Sequence, residues 1–470
     1  MKVFVFCVGG TGIRVMKSAL MLLASGIDAQ GATIVPILVD PHRGLKERAD
    51  LQNLIGDYQA VYNRLVTGNG GRLEPARPGF FSTEVKYLSE LAGENNDQSE
   101  QVAEERSFGD YINLGSLEGE DLNRYLVQTL FSQSNLDSSL SVGFKGSPNV
   151  GTVVLGEMIS GSDWFNSFCA KCEDGDRVFI ISSIFGGTGA SGFPLIEKFI
   201  RNSRNLPAVR NAIIGAVSVL PYYSLSDPAT TNSAIDSSNF FTKTKSALAY
   251  YEHGVQPDYL YYVGEQRLNA HYDNDEQKQN DDAHFVELVA ATALFDFIRK
   301  AERPENPQVL TRSIREDADP LTYSTLGDAY RGEVKAVADL SLLRLLVRIL
   351  PCERFFPLRK ECGFNPDFYN EDAFSRLNMF LEAFDKWYAQ LAGNERSFAP
   401  LAIDQRHTSN LPLAGMILDF SLDAKDESWY LLEMIRQYNK AAKDLNKPKF
   451  RNFMDYAYRA IDSYTSKINR

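Results

Sequence analysis

Short apolar runs and longer, helically spaced stretches alternate through the first three hundred residues. "KVFVFCV" at 2–8 is rich in β-branched and aromatic residues and predicts a buried strand. "GGTG" interrupts it, and "IRVMKSALMLLAS" then carries the apolar spacing of a helix, with Gly26 close after its end. "TIVPILVD" predicts a second strand that ends at Asp40. Strand, helix and strand with short joints form a βαβ unit, so a parallel sheet is expected. Residues 50–142 are less regular, with the loop "GNGGRLEPARPG", the polar stretch "GENNDQSEQVAEERS" and one helix, "DLNRYLVQTLFSQ". They are expected to be an insertion between core elements. "VGFKGSPNVGTVVLGEM" follows as a basic, glycine-containing loop and a helix.

The core pattern resumes with "RVFIISSIFGGTGASGFPLIEKFI" at 177–200, a strand, a glycine turn and a helix. Strands are expected at 211–221 and 257–265, with a helix at 238–253 between them. "DAHFVELVAATALFDFIRKAE" at 282–302 is apolar on most of its surface, the mark of a buried helix. Beyond Pro304 helical patterns dominate, interrupted by one strand candidate, "LPLAGMILDF".

The bulk numbers narrow the class. A chain of 470 residues has length for two or more domains, and 44% hydrophobic with 23% charged residues is ordinary for a globular protein. A net charge of −12 disfavours a general nucleic-acid or membrane-surface binder. No apolar run reaches transmembrane length, and the first residues do not read as a signal peptide. Five cysteines without a secretory signal point to reduced thiols and a cytoplasmic protein. Cys169 and Cys172 form a lone CxxC; a zinc site needs a second ligand pair, so ordinary helix packing is expected.

Two strand–glycine–helix junctions stand out: "FCVGGTGIRV" at 6–15 and "SIFGGTGASGF" at 183–193. Glycine permits close backbone approach, and the N–H groups of such a loop and of the helix it opens attract phosphate oxygens. Neither loop is a P-loop, and the first lacks the GxGxxG spacing of a dinucleotide site. Two such loops at one end of a parallel sheet point to a phosphate site; each alone can equally be a tight turn.

"SIFGGTGASGF" closely resembles the glycine box of the tubulin/FtsZ superfamily, GGGTGSG after a buried strand. The order of elements over residues 1–305 is similar too. The resemblance implies a Rossmann-like GTP-binding domain over 1–281, with 50–142 inserted. A central helix at 282–303 and a smaller, mainly helical C-terminal domain at 304–470 would follow. It implies GTP or GDP with magnesium, self-association into a polymer, and hydrolysis where one subunit's acidic loop meets the next subunit's nucleotide. Gly9, Gly10, Thr11 and Gly12 match the first loop, and Gly186, Gly187, Thr188, Gly189, Ala190, Ser191 and Gly192 the glycine box. Asp40 matches the acidic residue that serves magnesium. Lys145 and Gly146 fall in the loop that senses the terminal phosphate. Asp236 and Asn239 match contacts to ribose and base, and Asn280 lies where a base edge would be. Read without the resemblance, Asp40, Asp236, Asn239 and Asn280 are equally helix caps, and Lys145 a solvated lysine.

The chain departs from the family pattern after the central helix. "AERPENPQ" stands where GxxNxD is expected, offering Glu302 and Glu305 as acids; the "REDAD" carboxylates Glu316, Asp317 and Asp319 lie further on. Gly264 and Glu265 replace the guanine-contacting asparagine. Two functions from different classes follow: a self-assembling GTPase with Glu305 as its acid, or a nucleotide-binding scaffold or switch without efficient turnover that recruits partners, for example in a bacterial defence system. An NAD enzyme is disfavoured by the missing GxGxxG.

Overall fold

In the computed structural model, residues 1–41, 46–68, 71–92, 106–117, 119, 121–140, 144, 146–225, 240–265, 270–272, 274–275, 278–279, 282–300, 302–313, 321, 330–351, 363–394, 398, 416–417, 420–421, 433, 436–437, 439–440 and 447–465 are described. Six strands build the central sheet: β1 (Lys2–Val8), β2 (Thr33–Val39), β3 (Arg177–Ser183), β4 (Ile213–Val219), β5 (Tyr259–Gly264) and β6 (Gln308–Ser313). They lie in the order β6-β5-β4-β3-β1-β2, and every neighbouring pair is parallel. Most are continuous apolar runs because both sheet faces are covered. Beyond β2 a rudimentary seventh strand is held by parallel hydrogen bonds, Ile34 N–H to the Glu84 carbonyl at 2.9 Å and Lys86 N–H to the Ile34 carbonyl at 3.0 Å. From this edge the chain returns to lay β3 beside β1. The order therefore reverses between β1 and β3, the place where open α/β sheets hold ligands.

Seven helices flank the sheet: α1 (Gly9–Ala24), α2 (Lys46–Val66), α3 (Pro148–Ser160), α4 (Asp163–Lys171), α5 (Gly187–Arg201), α6 (Phe240–Gly254) and α7 (Phe285–Arg299). Phe4 and Phe6 of β1 meet Phe168 of α4 at 5.0 and 5.1 Å between ring centroids. α5 packs on α4 through Phe199 and Phe165, and α6 on α5 through Tyr251 and Phe193. The other face carries α1 and α7; Phe297 of α7 lies 5.3 Å from Phe179. β3–α5–β4 and β5–α7–β6 cross the sheet in the same direction with helices on opposite faces. The two connections thus have opposite hands, although such crossovers are right-handed almost without exception.

Three further helices, α8 (Arg331–Ile349), α9 (Asp372–Gly393) and α10 (Lys449–Thr465), add a layer over α1 and α2. Trp387 of α9 donates its indole N–H to the Ser18 hydroxyl at 3.3 Å, and Phe380 packs on Tyr58 and Phe81. This third layer explains why α7 and α1 are apolar nearly all round.

Three expectations change. Residues 50–142 are not wholly an insertion: α2 and the strand-like 84–86 are core elements, with Leu51, Ile55, Tyr58 and Val61 buried. The sheet does not end before residue 304, because β6 pairs along its full length with β5. The helix expected to join two domains instead links two strands of one sheet. Within the strand candidate, Met416–Ile417 pair antiparallel with Phe420–Ser421, and residues 411–415, 418 and 419 lie outside the described residues. Cys169 and Cys172 are free thiols at the end of α4. Among the described residues no helix is long and apolar enough to cross a membrane.

Candidate functional site

At the carboxyl edge of the sheet three helices begin close together, and all three lack the usual side-chain cap. α1 starts directly after β1, with Val8 at its cap position; α5 starts after Gly186; α3 starts after Ser147 with Pro148 in its first turn. The N-cap residue of none of them makes a side-chain cap hydrogen bond, and none has an acidic residue in its first turn. Each N-terminus therefore presents N–H donors that its own N-cap side chain does not satisfy, and the positive end of its dipole.

Glycine brings these ends together. Gly9 adopts φ +73°, which an L-side chain rarely takes, and its Cβ position lies 3.4 Å from Thr188 Cβ and 3.6 Å from the Gly189 nitrogen. A Cβ on Gly187 would stand 3.1 Å from the Ser147 nitrogen, 3.2 Å from that of Gly146 and 2.8 Å from Phe144 Cβ. The two glycine loops and the 144–147 turn thus converge, as expected of a shared phosphate site. Gly10, Gly186 and Thr188 are half-buried and reach solvent; the neighbouring loop residues are buried.

The candidate residues divide accordingly. Thr11 faces inward and accepts from Arg14 at 3.4 Å. Ser191 donates its hydroxyl to the Gly187 carbonyl at 2.7 Å, and the Ala190 carbonyl accepts from Tyr251 at 3.1 Å. Gly192 is a packing glycine, its Cβ position 2.5 Å from a Val8 methyl. Gly12 is another, 2.8 Å from the Ile181 carbonyl oxygen. Asp40 follows Val39, which pairs with Val8, so it sits beside Gly9 at the same edge; it is buried, and its carbonyl accepts from Arg48. Lys145, Asp236, Asn239 and Asn280 lie outside the described residues, as do Glu316, Asp317 and Asp319. Glu305 is exposed between α7 and β6, at the opposite edge of the sheet. The 15 residues of α7 separate the two edges by about 22 Å at 1.5 Å per residue.

Behind the loops lies a buried network of Arg14, Tyr222, His284 and Glu287. The Glu287 carboxylate accepts from Arg14 Nε at 2.7 Å, from the Tyr222 hydroxyl at 2.6 Å and from the His284 N–H at 3.2 Å. His284 caps α7, its Nδ1 accepting from Val286 at 3.1 Å. The network ties the helix that opens with the first glycine loop to the start of α7. Arg14 and Glu287 are each a charge set among apolar residues in a helix pattern, with Lys17 and Asp296 further along the same helices.

A cavity of about 230 Å³ adjoins the network, bounded by Arg14, Lys17, Asp50, Glu287, Trp387 and Gln390 among others. Burial lowers the Lys17 ammonium below its ordinary range, opposed by the Asp50, Glu287 and Glu47 carboxylates. Among the described residues no cluster of histidine, cysteine and carboxylate groups forms a metal centre. No protein-family model matches the chain, and no curated protein sequence matches it.

Proposed function

We propose that the chain binds a guanine nucleotide, GTP or GDP with magnesium, in the manner of a tubulin/FtsZ-like protein, and that it self-assembles and hydrolyses GTP between subunits. The observation that carries nucleotide binding is the convergence of three uncapped helix N-termini, free of acidic residues, around Gly9, Gly187 and the 144–147 turn. Guanine and the family rest on the resemblance of the glycine box, supported by the strand order and its reversal between β1 and β3. Magnesium is compatible with this donor set. Phosphate oxygens and waters supply most of its ligands, and one carboxylate, Asp40, stands beside the first loop.

Hydrolysis needs an acid that orients the attacking water. Glu305 and Glu302 are exposed at the far edge, so within one molecule they do not reach the loops. Copies stacked edge to edge would bring one copy's acids to the next copy's nucleotide. The same separation also favours the second reading, a switch that binds without efficient turnover whenever it is not assembled.

The test begins with chromatography of nucleotide released from denatured protein and titration with GTP and magnesium. Gly187→Val, whose methyl groups would collide with Phe144 and Ser147, should weaken GTP binding about tenfold or more by parting the donors. Phosphate release per molecule should rise with protein concentration alongside light scattering. Unchanged GTP affinity in folded Gly187→Val would remove the loop from the site; release independent of concentration would select the switch.

A further inference from the structure

Two buried hydroxyl groups near the glycine loops, those of Ser183 and Thr244, make no hydrogen bond among the described residues. Ser183 ends β3 and is 5% exposed. Its Oγ lies 2.9 Å from the Cβ positions of both Gly186 and Gly189, so it points into the turn, yet it makes no hydrogen bond among the described residues. Thr244 on α6 is 7% exposed, and its Oγ1 is enclosed without a hydrogen bond. Threonine in a helix commonly bonds the carbonyl one turn earlier; Thr244 does not.

The packing of α6 locates this second hydroxyl. Phe240, one turn before Thr244 on the same buried stripe, lies 5.0 Å from Phe185 between ring centroids, and Tyr251 further along donates its hydroxyl to the Ala190 carbonyl. Thr244 lies between Phe240 and Tyr251 on the buried side of α6. Its neighbour Lys243 places Nζ 3.0 Å from the Cβ position of Gly146 (φ +72°), in the turn whose nitrogens meet Gly187. The Ser183 hydroxyl and the Lys243 ammonium thus lie against the glycine box and the Gly146 turn, with the enclosed Thr244 hydroxyl next to Lys243 on α6. An enclosed, unbonded hydroxyl such as that of Thr244 is costly and rare in folded proteins and requires an explanation.

We infer that Ser183, Lys243 and Thr244 are ligand-binding donors that close the phosphate site on its α6 side, the hydroxyls and the ammonium all bonding phosphate oxygens. The inference rests on the phosphate-site reading of the glycine loops. It adds α6 as the wall of that site and accounts for two hydroxyls that packing leaves unmet. Hydroxyls and an ammonium all donate, and together with backbone N–H groups they suit a polyanion with many acceptor oxygens.

The experiment compares Thr244→Val, Ser183→Ala, Lys243→Gln and Lys243→Arg in the full chain. It measures the melting temperature without nucleotide and the calorimetric affinity for GTP with magnesium. Thr244→Val removes an unmet hydroxyl at nearly constant volume, so the nucleotide-free protein should melt no lower than wild type while GTP affinity falls about tenfold. Ser183→Ala should behave alike. Lys243→Gln should lose about tenfold or more, and Lys243→Arg should recover most of it. Opposite signs in stability and binding are the signature of a ligand donor, since a structural role moves both together. Wild-type affinity in Thr244→Val, Ser183→Ala and Lys243→Gln, with binding still lost in Gly187→Val, would overturn the inference and leave the phosphate site standing. Parallel losses of stability and affinity would overturn it too. A wild-type protein that binds no GTP defeats the underlying reading and the inference with it.

Discussion

Glu287→Gln tests the network that holds the first glycine loop against α7. Glu287 is 1% exposed and Arg14 6% exposed, so their ion pair is fully enclosed. The carboxylate accepts three hydrogen bonds, from Arg14, Tyr222 and the His284 N–H. Simple addition at about 1.5–3 kcal/mol per charged bond overestimates the loss, because the same groups partly find other partners. Removing one member of a buried pair costs about 3–5 kcal/mol, chiefly for the charge left uncompensated, and about 4 kcal/mol is expected here. Replacing both charges, Arg14→Met with Glu287→Met, should cost far less than the sum of the single changes, because no charge is left stranded. Urea unfolding followed by tryptophan fluorescence is the assay, since Trp387 borders the same cavity as Glu287. A loss below about 1 kcal/mol for Glu287→Gln, or a double variant as unstable as the two singles added, would refute the reasoning.

Two other groups give tests of a different kind. Asp339 of α8 contacts Lys335 at 2.6 Å, and Lys335 reaches Asp462 of α10 at 3.0 Å. Burial pushes the Asp339 carboxyl up to about 6, against the pull of Lys335, while pairing with both carboxylates raises Lys335. The Asp339 direction prevails for that group because its Oδ1 is enclosed without a hydrogen bond. A folded value above the ordinary 3.8 means that this contribution to stability is full below about pH 4 and is lost as pH rises through 6. Asp339→Asn should therefore raise the melting temperature at pH 8 and give no gain at pH 4; an equal gain at both would contradict this. Burial also pushes the Cys169 thiol up to about 11 and that of Cys172 to about 12. At pH 8 both are neutral, so iodoacetamide should modify them much more slowly in folded than in unfolded protein. Rapid labelling of the folded chain would refute that.

The strands β1 to β5 were legible because each is buried on both faces and reads as an apolar run. The glycine loops were legible because a strand that turns at once into a helix needs glycine at the joint. α2 was missed although Leu51, Leu54, Ile55, Tyr58, Val61 and Tyr62 follow helical spacing; the loop and polar stretch after it dominated the reading. β6 had no such signal. It pairs on one side only, its residues are exposed or half-buried, and "QVLTRS" carries no apolar run.

Backbone period and turn chemistry act between near neighbours, so a chain records its strands, helices and glycine joints locally. The meeting of Arg14 with Glu287 spans 273 positions, and that of Gly146 with Lys243 joins a turn to a helix with α3, α4, β3, α5 and β4 between them. No local pattern encodes those pairings; they exist because the sheet order places particular helix ends side by side. The chain alone therefore determined that glycine loops open helices after buried strands. Tertiary structure decided that those two helices begin beside α3 without side-chain caps, that Ser183 and Thr244 lie near them without a hydrogen bond among the described residues, and that Glu305 lies at the other edge.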